Sequence, residues 1–196
     1  MSRRYNGLDF NRKPKKKIDQ SHLHELISWI FWLSVSGIIG FVLIYVFGLR
    51  TNVIGNAMEP SLYSGQQILI NRMIYNISSP ERGDVVAFLP NGNEDSHFYI
   101  RRVIGVPGDT VKIVDGYIYI DDVLLDEEGA YDKIANPGIL ENPITLSEDQ
   151  FIVFGDNRNF SEDSRSGNIG IVESSYLVGK VWFKISNNLE FMGFVR

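Results

Sequence analysis

Four short segments carry residue types able to do chemistry. The densest is Phe154-Gly155-Asp156-Asn157-Arg158-Asn159-Phe160-Ser161-Glu162-Asp163-Ser164-Arg165, which follows a strongly apolar run. Asp156, Arg158, Asp163 and Arg165 can form charge-assisted pairs that fix a pocket wall, with Ser161 and Ser164 supplying hydroxyls, although a solvated turn has the same composition. Tyr99-Ile100-Arg101-Arg102-Val103-Ile104-Gly105-Val106-Pro107-Gly108-Asp109 sets adjacent arginines inside an apolar strand. The pleat turns one to each face, and the inward guanidinium requires a carboxylate partner. Gly55-Asn56-Ala57-Met58-Glu59-Pro60-Ser61-Leu62 gathers small residues that permit close backbone approach, which a plain turn also requires. Arg82-Gly83-Asp84-Val85-Val86-Ala87-Phe88 reads as a turn feeding a buried strand.

The elements that must hold these segments are strands. Runs of β-branched and aromatic residues with period two cover 67–71, 85–88, 99–106, 111–114, 117–120, 151–154 and 178–185. Asp115-Gly116 supplies the positive φ angles of a two-residue primed turn and predicts a hairpin over 111–120. Residues 126–149 lack either periodicity and read as a long excursion with turns, carrying no chemistry of their own. No repeat or low-complexity segment stands out.

Preceding the strands, Leu26 to Leu49 forms 24 residues without a charge. As a helix it would reach about 36 Å, against a hydrocarbon core of about 30 Å, so it predicts an uncleaved membrane anchor. A secretory leader has an apolar stretch of only about 7–15 residues ending at a small-x-small site, whereas this run ends in Phe47-Gly48-Leu49-Arg50. Residues 1–25 hold seven Lys/Arg against three acids, a charge of +4, and the remainder carries −9. Such a basic tail stays in the cytoplasm beside anionic lipid headgroups, which puts residues 50–196, one domain's worth of chain, on the outer face. The overall charge of −5 and the acidic outer part give no field for nucleic acid. With no cysteine there is no disulfide, thiolate zinc site or thiol nucleophile. The sequence shows no metal-ligand cluster and no phosphate-cradling loop, so neither metal nor other cofactor is expected. His97 sits in a polar stretch and reads as a surface loop residue, and His22 and His24 fall before the anchor. Oligomeric state leaves no sequence signature here.

In order and spacing, the four segments resemble the type I signal peptidases, the membrane-bound Ser/Lys serine proteases that remove signal peptides from secreted precursors, in their short Gram-positive-like form. The pattern is a membrane span, G-x-S-M-x-P-[ST]-L, R-G-D-V-V, Y-[IV]-K-R-[VI]-I-G-x-P-G-D and G-D-N-R-x-x-S-x-D-S-R. The resemblance implies a mainly β protein, with a domain of antiparallel sheets outside the membrane after one N-terminal transmembrane helix. It also implies cleavage after Ala-x-Ala, with signal peptides or precursor proteins as partners.

Two positions depart from the pattern. Where the family has its attacking serine this chain has Ala57, and where it has its lysine base the chain has Arg101. The reaction needs an oxygen nucleophile and a neutral amine, and arginine stays protonated even when buried. Losing the nucleophile alone costs on the order of a million-fold in a well-studied serine protease. The resemblance assigns the rest of the site as well. The Ala57 N–H would belong to an oxyanion hole, Gly55 would stand where some members place a second donor, and Ser161 would match the serine that orients the base. Asp163 with Arg165 would be a supporting ion pair, and Met58, Pro60, Arg102, Asp156, Arg158 and Ser164 complete the motifs. Several readings stay open: a scaffold that binds precursors without cutting, a peptidase disabled at two positions, or a non-catalytic assembly factor for surface proteins such as pilins. A self-cleaving repressor is disfavoured by the anchor, and a purely structural membrane protein leaves the Asp156–Arg165 turn unexplained.

Overall fold

A computed structural model describes residues 20–47, 49–127, 129, 131–185 and 192–195. Of the predicted basic tail, residues 1–19 lie outside the described residues. The chain divides into two units, Met1–Phe41 and Val42–Arg196, each taken by itself.

Helix α1 spans Gln20–Phe47. Its stretch Leu23–Leu43 has a mean hydropathy of 2.1 and none of it is buried, so it is long and apolar enough to cross a membrane. Trp29, Phe31 and Trp32 are each exposed by 60% or more, which is unfavourable in water and ordinary in lipid. The uncharged run covers 26–49. The helix starts six residues earlier, and Leu49 leaves it to open a strand. Leu49 and Arg50 pair opposite Ile70 and Leu69.

The rest is mainly β, as the sequence predicts. Strands β1 (Leu49–Asn52), β2 (Gln67–Asn71), β3 (Val85–Phe88), β4 (Tyr99–Gly105), β5 (Thr110–Val114), β6 (Tyr117–Ile120), β7 (Val123–Leu124), β8 (Ile144–Thr145), β9 (Gln150–Phe154), β10 (Val172–Glu173), β11 (Leu177–Ile185) and β12 (Gly193–Phe194) form two sheets. One runs β1-β2-β11-β3-β4-β9-β10 with β12 added on β11, and the other runs β7-β6-β5-β8. The pairs are antiparallel. The hairpin forms as predicted, with Asp115 at φ 51° and Gly116 at φ 80°.

Central strands of the larger sheet are covered on both sides. All four residues of β3 are buried, as are six of the seven in β4. Val85, Ala87 and Ile100 pack with Met58, Leu62, Ile68 and Ile70 on one side, and Val86, Phe88 and Val103 pack with Phe151, Val153 and Val172 on the other. Double coverage is what a continuous apolar run such as Val-Val-Ala-Phe demands. The excursion 126–149 does turn repeatedly, with one short 3₁₀ segment at Gly138–Glu141 and strand β8. It also delivers Ile134, Leu140 and Leu146 to the core over β5 and β6, a packing role its aperiodic sequence does not announce.

Candidate functional site

The loop between β1 and β2 carries residues 55–62. Its conformation is held from inside by Met58 and Leu62, both essentially fully buried, with the Leu62 N–H donating to the Met58 carbonyl at 2.8 Å. Gly55 takes φ +78°, open to glycine at no steric cost. Pro60 follows a cis peptide bond. The loop is fastened to the polar turn after β9: the Asn157 N–H donates to the Ala57 carbonyl at 3.0 Å, and Asn157 Nδ2 donates to the Asn56 carbonyl at 3.2 Å. Contact between the two is so close that a Cβ on Gly155 would lie 2.4 Å from Ser161 Cβ and 2.5 Å from the Ala57 oxygen. Glycine is required there by space rather than by φ.

Strand β4 places Arg101 and Arg102 opposite Val86 and Val85 of β3. The predicted alternation holds, and Arg102 has the predicted carboxylate: Nε and Nη2 grip Asp156 at 2.7 and 2.6 Å. Its Nη1 donates to the Gly83 carbonyl at 2.8 Å. Burial opposes the Arg102 charge, but the bond and charge of Asp156 outweigh it and hold the guanidinium above its ordinary value. Arg101 departs from expectation. It too is buried, because β4 has no solvent face. Its partners are carbonyls: Nε and Nη2 both donate to the Glu162 oxygen, at 2.8 and 2.5 Å, and Nη1 donates to the Ile100 oxygen at 2.7 Å. The guanidinium lies 5.2 Å from the Tyr99 ring centroid. Burial pulls it below the usual arginine range, with Asp163 acting in the opposite sense.

The turn 154–165 is a paired network rather than a solvated loop. Asp163 accepts from Arg165 Nε and Nη2 at 2.8 and 2.7 Å, from Ser161 Oγ at 2.5 Å and from the Gly155 N–H at 3.0 Å. Arg165 Nη2 also donates to the Arg158 carbonyl and to Ser161 Oγ. Arg158 forms a two-point pair with Glu127 and lies over the Tyr131 ring at 4.1 Å. Ser164 Oγ accepts from the Val153 N–H at 2.9 Å, tying the turn back to β9. Ser161 thus bonds Asp163 and Arg165, while Arg101 is held by the carbonyl one residue further on.

These segments meet at a groove of about 370 Å³ lined by residues 53–58, 97–101, Phe160 and Glu162. Ala57 and Arg101, some forty residues apart in sequence, share it. Among the described residues the Ala57 N–H and the backbone groups of Ile54 and Gly55 carry no hydrogen bond, so one wall offers main-chain donors and acceptors. His97 is exposed as predicted, yet it belongs to the rim. Ser61 and Ser64 stand outside the groove lining. Sequence reasoning missed Glu127, Tyr131, Asn157, Phe98 and Phe160. Only Asn157 and Phe160 lie inside a motif that could have flagged them. Groups of three or more metal-ligating side chains are absent among the described residues.

The family model for "Signal peptidase, peptidase S26" matches residues 25–186. "Probable signal peptidase I-2" of Synechocystis sp. is 33% identical over 164 residues, covering 78% of this chain and 72% of that one. "Signal peptidase IB" of Staphylococcus aureus is 30% identical over 175 residues, covering 82% of this chain and 89% of the relative. The crystal structure of a signal peptidase I from Enterococcus faecalis aligns at 28% identity over 54% of this chain and 98% of that chain, with a TM-score of 0.43.

Proposed function

The chain belongs to the signal peptidase family, peptidase S26, and from that premise we propose that it holds the signal-peptide region of secreted precursors in the 57/101 groove without cutting it. α1 anchors the protein in the membrane, with the basic tail in the cytoplasm and the β-domain outside. Precursors emerging through the membrane then meet the groove while still tethered by their own apolar segment.

The observation that carries this reading is chemical. Ala57 and Arg101, at the positions the motifs reserve for nucleophile and base, stand in one groove, and neither can do those tasks. Alanine has no attacking atom. Burial lowers the Arg101 guanidinium, yet an arginine keeps its proton at physiological pH and does not serve as a neutral base. Neither Ser61 nor Ser64 lines the groove to replace the missing hydroxyl. What remains is a binding surface: unpartnered main-chain groups at Ile54, Gly55 and Ala57 suit an extended peptide docked by strand-like hydrogen bonds. By the same motif match, Gly55, Met58, Pro60, Arg102, Asp156, Arg158, Ser161, Asp163, Ser164 and Arg165 act as scaffold for that surface.

The test is to mix the full chain in detergent micelles with a precursor bearing an Ala-x-Ala site and follow co-elution and mass. Co-elution of uncut precursor is expected. Clipping of a molar excess of precursor by the unaltered chain would contradict the proposal.

A further inference from the structure

Among the described residues four arginines are buried in the β-domain, and three of them, Arg102, Arg158 and Arg165, each grip a carboxylate, from Asp156, Glu127 and Asp163 respectively. Arg101 is the exception. Among the described residues it forms no ion pair, and its three hydrogen bonds go to backbone oxygens. Guanidinium has five N–H donors, so two remain without a partner. Nearby acids do not complete it: Asp163 is engaged by Arg165 and Ser161, and the Glu162 carboxylate accepts from Asn168 on the exposed side. A buried cation without an anion is costly unless a ligand supplies the charge.

That ligand has a recognisable form. The groove holding Arg101 also holds the unpartnered Ala57 N–H, and the adjoining Ile54 and Gly55 backbone suits an extended chain. A peptide wall ending at a buried guanidinium and a free amide fits the end of a peptide, with its α-carboxylate received by charge-assisted hydrogen bonds. We propose that the preferred ligand of the groove is the free C-terminal carboxylate of a peptide ending in small residues, the product form of signal-peptide cleavage, rather than the uncut precursor. The inference rests on the reading of the groove as a signal-peptide site and sharpens its ligand. The chain then receives peptides that another, active peptidase has released.

Three fluorescent peptides sharing one Ala-x-Ala sequence separate the possibilities: one ending as the free acid, one as the amide, and one continuing several residues past the last alanine. Each is titrated against the full chain in micelles by anisotropy. The acid is expected to bind about tenfold or more tighter than the amide or the extended peptide. Arg101→Gln should remove that preference and Arg101→Lys should keep part of it. The acid-to-amide comparison stands even if neither variant folds. Equal binding of acid and amide overturns the carboxylate proposal while leaving signal-peptide binding intact. Tighter binding of the extended peptide than of the acid does the same. Failure of all three to bind overturns both.

Discussion

Gly155 shows how little slack the candidate site has. A methyl group there would press on the Ala57 carbonyl and on Ser161 at once. Gly155→Ala is therefore expected to push the 57 loop off the polar turn, costing about 1–3 kcal/mol and weakening peptide binding, as read by thermal denaturation and anisotropy on the same sample. The Arg102–Asp156 pair is equally exacting. Asp156 is nearly inaccessible and supplies the carboxylate that meets the buried Arg102 guanidinium at two points. Asp156→Ala strands a buried cation, with an expected loss of about 3–5 kcal/mol in urea unfolding. Tyr75 is the residue with a pH signature. Burial and the neighbouring Asp84, which accepts its hydroxyl at 3.1 Å, push its phenol well above the usual value. The folded state keeps that proton where the unfolded chain, above about pH 10, releases it. Stability should thus be unaffected at neutral pH and fall as pH rises past about 10, and Tyr75→Phe should flatten that decline.

Strand β4 shows what an element can and cannot disclose. Its apolar run with two arginines predicts the strand and one buried charge pair, because burial of a lone guanidinium is too costly. It does not disclose that both arginines are buried, since that depends on layers contributed by β2, β9 and the loop at Met58. Nor does sequence reveal that Arg101 rests on backbone oxygens: a carbonyl partner is the same for every residue type and leaves no compositional mark. The β5–β6 hairpin was legible because turn chemistry and period agreed over ten residues. β1 was hidden by the apolar run flowing into Leu49. β7, β8, β10 and β12 have two residues each and no period to detect. The Glu127–Arg158 pair joins residues 31 apart, a distance over which neither segment signals the other. The motifs, by contrast, single out Ala57 and Arg101, which line one groove, because each stands in a contiguous segment with its own pattern.

On the scale of the whole molecule, a helix long and apolar enough to cross a membrane accompanies a β-domain whose central strands are covered on both sides. The helix predicts that the protein stays with the membrane fraction after alkaline carbonate washing, while a chain lacking residues 1–47 is released to the supernatant. The central claim is that the scaffold of a signal peptidase persists here around a site stripped of its two reacting groups. It is tested most directly by quantifying turnover of an Ala-x-Ala precursor by the full chain and by the Ala57→Ser, Arg101→Lys double variant under identical conditions. No product is expected from the unaltered chain and repeated turnover from the double variant; cleavage by the unaltered chain, or silence from a folded double variant, would overturn the reading of a disabled scaffold.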